Sequence, residues 1–236
     1  MAETPFALHA PPRSPVPGRA PWSGVEPHDL LHLRRPDAMQ FDAPPPPWVG
    51  LALRHVPWVV VRRAAARDGL LPVGVRGETR DLRCAAWVAP EDVDRVLSPH
   101  ALRCRIACLS AARMSLPAAR ALVAVERAWA TWALPWGPGG SLGFELATGW
   151  PTVGRDSDLD LVVHARNPLS RTEARRRLDA LPALGARIDV QMETPAGVVA
   201  LAEFAGQGDG AILLRGRHGP HLVRDPWDWI AADRPQ

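Results

Sequence analysis

A chain of 236 residues, 47% hydrophobic and 22% charged, is long enough to bury a sizeable core, and its composition excludes wholesale disorder. No window approaches the run of about 20 apolar residues that a membrane helix needs, and the opening MAETPFALHAPPRSPVPGRAP lacks the apolar stretch of a secretory signal, which points to a cytoplasmic protein. The pI is 9.3, but the net charge is only +3 and all 28 basic residues are arginines, scattered apart from Arg62-Arg63 and Arg175 to Arg177, which argues against a nucleic-acid surface.

Residues 1–25 are Pro-rich, lack periodicity, and read as a mobile tail. PHDLLHL follows, and then Pro44 to Pro47, an extended spacer. Three runs predict strands: Trp58 to Arg63, Leu71 to Arg76, and Arg83 to Ala89. Pro90-Glu91-Asp92 puts proline and acids where helices start, so EDVDRVL is predicted as a short helix. Together these give a small α+β domain over 26–114. Three cysteines exclude a disulfide framework. His100, Cys104 and Cys108 would share a helical face, but structural zinc wants a fourth ligand and none is near, so the thiols read as small buried residues.

The second domain, 115–236, opens with a helix capped by Ser115, with Pro117 in its first turn and Leu122, Val125, Trp129 and Trp132 on one face. Trp136 to Gly140 reads as a loop, and SLGFELATG as a helix closed by Gly149. A strand over 157–164, a helix over 170–181 and a strand over 187–192 come next, followed by a helix over 195–204. A hairpin around Gly219-Pro220 ends the pattern.

Three features of this half belong together. Gly140-Ser141 stands at a helix start, where free N–H groups and the dipole favour phosphate. Asp158-Leu159-Asp160 puts two carboxylates on one face of an apolar strand, about 7 Å apart, a repulsion that a divalent cation would compensate. Asp156 with Asp158 is an alternative pair by parity, but Leu159 and Leu161 favour the later one. Asp189, on the next strand, would reach the same face if the strands are neighbours, and three such carboxylates can hold two metal ions.

This order resembles the nucleotidyltransferase superfamily that includes DNA polymerase β, although Asp158 follows Ser141 by 17 positions, somewhat more than usual. PHDLLHL, WVVVRRAAARDGLLPVGVRG and GSLGFELATGWPTVGRDSDLDLVV together look like the malonate decarboxylase holo-acyl-carrier-protein synthases, which are phosphoribosyl-dephospho-CoA transferases. That resemblance runs from about Pro27 onward. It implies an α+β fold with a nucleotidyltransferase-like catalytic domain on a mixed sheet. The implied reaction joins 2′-(5-triphosphoribosyl)-3′-dephospho-CoA to a serine of the apo acyl-carrier subunit of malonate decarboxylase and releases pyrophosphate. The implied cofactor is Mg²⁺ or Mn²⁺, as two ions, with no nucleic acid and no membrane involved.

By the same resemblance, Asp158 and Asp160 would ligate both ions, and Asp189 would complete the site beside the incoming serine. Gly140 and Ser141 would hold pyrophosphate. Arg155 and Arg215 are candidates to neutralise phosphate, and Trp136 to stack on adenine. Arg166, Arg175 to Arg177 and Arg217 would extend an arginine rim that steers an acidic carrier. His28-Asp29 lacks the partners of a metal-phosphohydrolase motif and reads as domain packing or a substrate contact. The alternatives are a transferase using an ordinary nucleoside triphosphate and a silent binding module. Three clustered carboxylates argue against the second.

Overall fold

Alternating apolar residues fold the first half of the chain into an antiparallel sheet. The computed structural model describes residues 24–64, 67–79, 81–206, 208 and 210–228, so the expected tail lies outside the described residues except for Gly24 and Val25. The strands are β1 (Leu30–Leu33), β2 (Trp58–Val61), β3 (Leu71–Arg76), β4 (Arg83–Val88) and β5 (Val93–Leu97), in the order β4-β3-β2-β1-β5. Leu31, Leu33, Val59, Val61, Val73 and Val75 face one core, which Val49 and Leu53 of helix α1 (Pro47–His55) close. Leu30, Trp58 and Leu97 point the other way, into the core of the second half. This is period-2 geometry buried on both faces.

Two sequence expectations change here. The spacer ends sooner, because Pro47 opens α1 at a position where a missing N–H costs nothing. The helix predicted over EDVDRVL is a 3₁₀ turn (Pro90–Asp92) running into β5, which pairs with β1 and buries Val93 and Leu97. The Asp92 carboxylate accepts from Arg35 Nε at 2.6 Å and fixes the turn instead of starting a helix.

The second half contains α2 (Pro99–Leu102), α3 (Ala111–Met114), α4 (Pro117–Ala128), β6 (Trp136–Pro138), α5 (Gly140–Thr148), β7 (Leu159–His164), α6 (Arg171–Asp179), β8 (Ile188–Glu193), β9 (Val198–Ala200), α7 (Leu201–Gly206), β10 (Ile212–Gly216) and β11 (Gly219–Val223). Its six-stranded sheet runs β11-β10-β9-β8-β7-β6, and only β7 and β8 are parallel, joined through α6. The whole is α+β, with a mixed sheet in the second half, as the sequence implied. α6 begins where Ser170 accepts from the Glu173 N–H at 3.1 Å. α5 ends at Gly149, whose φ of 74° only glycine takes readily.

α4 buries the expected face, but it ends at Ala128 and is not capped by Ser115, whose hydroxyl donates back to the Ala112 carbonyl at 2.7 Å. Trp136 to Pro138 is a strand and not a loop, because its backbone pairs with Val163 to Leu161. The helix predicted over 195–204 divides into β9 and α7, since Val198 and Val199 pair with β8 while Leu201 and Phe204 pack as one helical face. The hairpin turns at Arg217-His218, two residues before the predicted corner. Cys104 and Cys108 are exposed, which corrects the buried-thiol reading.

Candidate active site

The parallel pairing of β7 with β8 fixes Asp160 directly opposite Asp189, with Leu161 opposite Val190 one step on. The two carboxylates therefore share a face, while Leu159, Leu161, Val190 and Met192 are buried on the reverse. Asp158 lies one residue before the strand begins. Asp189 is engaged by Arg187, whose Nη2 donates to it at 2.8 Å. Among the described residues, no three His, Cys, Asp or Glu side chains are gathered closely enough to hold a metal ion as they stand.

The glycine-serine turn is docked on this strand. The Gly139 N–H donates to the Asp160 carbonyl at 2.9 Å, and Gly140 has φ +53°. A Cβ on Gly140 would stand 1.8 Å from Oδ2 of Asp160, so only glycine fits against that carboxylate. Ser141 Oγ accepts from Arg76 Nη2 at 2.7 Å, and the Thr152 hydroxyl donates to the Ser141 carbonyl at 2.8 Å.

Glu145, buried on α5, holds the loop that leads to the aspartates. It accepts two hydrogen bonds from Arg113, at 2.7 and 2.6 Å, and one each from the backbone N–H groups of Thr152 and Val153 at 2.9 Å. Burial pushes this carboxyl up, but the guanidinium and the two N–H groups outweigh it and keep it below its ordinary value.

These elements surround an open cleft of about 340 Å³. The second half lines it with Gly140, Ser141, Thr152, Asp158 and Asp160, and with Arg155 and Asp156 of the connecting loop. The first half contributes Arg76, Glu78 and Arg83. Sequence reasoning missed that contribution. A signal existed: the runs LPVGVR and RCAAWV, joined as a hairpin, put Arg76 and Arg83 together at its mouth.

Arg215 stands elsewhere. Its register runs Arg215, Val198, Glu193, His164, so it is level with the far end of β7 and three strands away. At about 4.8 Å between strands and 3.3 Å along them, it is roughly 20 Å from Asp160. Trp136 has no exposed surface, lies edge-on to Trp129, and has Arg103 over its ring, so no base can stack on it. Of the arginine rim, Arg166 is bound to Glu26, and Arg176 and Arg177 both to Glu173.

His28 and Asp29 settle on domain packing. Asp29 is buried and accepts from the Glu26 N–H at 3.0 Å, and His28 Nε2 reaches Glu193 of β8 at 2.9 Å. Arg63 adds a second donor to the same carboxylate.

Comparison with known proteins gives this geometry a family. Residues 26–99 match the model for the phosphoribosyl-dephospho-CoA transferase MdcG N-terminal domain, and residues 101–226 match that for the MdcG C-terminal domain. The chain is 43% identical over 201 residues to the phosphoribosyl-dephospho-CoA transferase of Pseudomonas putida (strain GB-1), covering 85% of this chain and 94% of that one. It is 41% identical over 205 residues to that of Pseudomonas aeruginosa PAO1 (87% and 95% covered), and 38% identical over 205 residues to that of Klebsiella pneumoniae strain 342 (87% and 97%). No solved structure matches. Among the described residues, no helix is long and apolar enough to cross a membrane. With both halves matched and relatives aligned across most of its length, the chain belongs to the phosphoribosyl-dephospho-CoA transferase family of enzymes.

Proposed function

We propose that this enzyme transfers 2′-(5-triphosphoribosyl)-3′-dephospho-CoA to a serine of the apo acyl-carrier subunit of malonate decarboxylase, and that its second half is a nucleotidyltransferase-type domain. The observation that carries the reading is the register of Asp160 with Asp189, beside a glycine-serine turn bonded to the same strand. The relatives' shared name supplies the donor's chemical class.

A divalent cation fits the donor set. Asp158 and Asp160 are hard oxygen ligands on an open cleft, and the missing side chain at Gly140 lets the Asp160 carboxylate sit against the glycine-serine turn. Asp158, Asp160 and Asp189 would hold Mg²⁺ or Mn²⁺, as two ions, which when bound neutralise charge on the phosphate oxygens. Asp189, oriented by Arg187, takes the proton of the incoming serine hydroxyl. The serine oxygen then forms a bond to the α-phosphorus as the bond to the bridging oxygen breaks, and pyrophosphate carries off the electron pair. Ser141 and the backbone at Gly140 hold the phosphates in line for that displacement.

The deciding assay incubates the enzyme with apo carrier and the triphosphoribosyl donor, and reads the carrier's mass and released pyrophosphate. Stoichiometric mass gain from this donor and none from ATP is the expected result. Equal transfer from ATP would replace the reading with a nucleotidyltransferase acting on ordinary nucleoside triphosphates.

A further inference from the structure

The β3–β4 hairpin sets Arg76 directly across from Arg83, and both side chains line the cleft. Like charges directly opposite on antiparallel strands repel, because their Cβ atoms stand about 5 Å apart. The other five rungs of this ladder, from Leu71↔Val88 to Val75↔Cys84, carry no such pair. The doubled positive charge is thus confined to the rung at the cleft.

Arg76 is also buried, at 8% exposure, with its guanidinium 5.6 Å over the Phe144 ring of α5. Its Nη2 donates to Ser141 Oγ at 2.7 Å. A serine hydroxyl that accepts from arginine keeps its own O–H to give to something else. Two guanidinium groups and one oriented hydroxyl therefore line the same cleft as Asp158 and Asp160.

We propose that Arg76, Arg83 and Ser141 form a polyphosphate subsite that takes the departing pyrophosphate end of the donor. The first half of the chain thereby supplies the cationic part of the active site, and the second half the carboxylates. The role in transfer rests on the reaction proposed above; pyrophosphate recognition does not. Guanidinium forks match phosphate oxygens, and a chain without lysine has arginine as its available strong cation. A phosphate seated between the two groups would accept hydrogen bonds from both. During transfer, the bridging oxygen gains the electron pair of the broken bond, and these cations stabilise that charge where it develops.

Calorimetry with inorganic pyrophosphate at fixed Mg²⁺ tests the subsite in the full-length enzyme. Arg83→Gln and Arg76→Lys are compared with Arg127→Gln, which removes the same charge from an exposed position in the last turn of α4. Losing one charge-assisted contact should weaken pyrophosphate by roughly tenfold or more in Arg83→Gln. Arg76→Lys should weaken it less, since one point donor is retained, and should partly keep transfer, which a purely structural arginine would not predict. Arg127→Gln should stay within about twofold, because a distant charge is screened. Pyrophosphate affinity within about twofold of wild type in both cleft variants would overturn the subsite. If Arg76→Lys fails to fold, Arg83→Gln decides alone. Should the wild type bind pyrophosphate through Arg83 yet ignore the triphosphoribosyl donor, the subsite stands and the substrate assignment falls.

Discussion

A side chain on Gly140 would begin 1.8 Å from the Oδ2 atom of Asp160. Gly140→Ala should therefore suffer twice: from its φ of +53° and from displacement of a carboxylate at the cleft. We expect a stability loss of about 1–3 kcal/mol, with activity reduced far more. Gly149→Ala isolates the first effect, since φ is +74° there but nothing lies within 4 Å. It should cost about 1 kcal/mol and keep activity. Equal activity in the two variants, measured beside thermal melts, would show that the Asp160 contact is immaterial.

Asp158→Ala and Asp160→Ala should fold normally and lose transfer, by a factor reflecting several kcal/mol of charge stabilisation. Both are partly exposed near the start of β7, so neither truncation opens a core cavity. Asp189→Asn should retain much of the donor binding yet lose transfer, because its partner is Arg187 and its proposed work is on the acceptor. Calorimetry on the three variants separates the roles. Donor binding that collapses equally in all three would contradict the division.

The Glu145 anchor predicts a variant outside the cleft with an effect inside it. Arg113→Ala leaves a carboxylate at 4% exposure with only backbone donors, at a cost of about 3 kcal/mol. Its loop, which carries Thr152 to Asp158 along the cleft, should loosen and raise the donor KM. Unchanged KM in a measurably destabilised protein would separate the anchor from the site.

Acid should release the junction between the two halves. Glu26 is held at about 2, against 4.5 ordinarily, chiefly by its hydrogen bond with His164, with burial opposing and the Arg166 charge assisting. Burial pushes the Glu193 carboxyl up, but His28 and Arg63 outweigh it and hold it below its usual range. Both folded values are depressed, so their stabilisation is present above about pH 4.5 and is lost as pH falls through those depressed values, which for Glu26 is about 2. Urea titrations at neutral and acid pH should show this slope, and Glu26→Gln with Glu193→Gln should flatten it. At neutral pH, Glu193→Ala should cost about 3 kcal/mol by stranding His28 and Arg63.

What the sequence made legible follows from the range over which each signal acts. β7 and β8 announced themselves by strict alternation, and once they were neighbours, parity carried Asp189 to Asp160. Gly149 was readable as a cap because a cap is chemistry within a few residues. The acids after Pro90 spoke equally locally for a helix, but β1 offered Val93 and Leu97 a ladder and a core. Trp136 to Pro138 is too short for any period to show, and it is a strand only because β7 lies beside it. Arg76 meets Ser141 across 65 positions, and a strand's alternation names its faces without naming what those faces will touch.

The indoles around α4 give the enzyme an optical signature of its own packing. Trp129 stands edge-on to Trp132 at 4.8 Å and to Trp136 at 5.0 Å, all three are buried, and Arg103 covers one ring. The chain has no tyrosine, so tryptophan dominates its near-ultraviolet absorption and emission. Chromophores locked at such angles couple, and their circular dichroism vanishes when the angles are lost. Trp150 answers to solvent instead, being 43% exposed and stacked on His55 of the other half. A water-soluble quencher should therefore dim Trp150 while leaving the buried trio bright, so one sample reports the junction and the core separately.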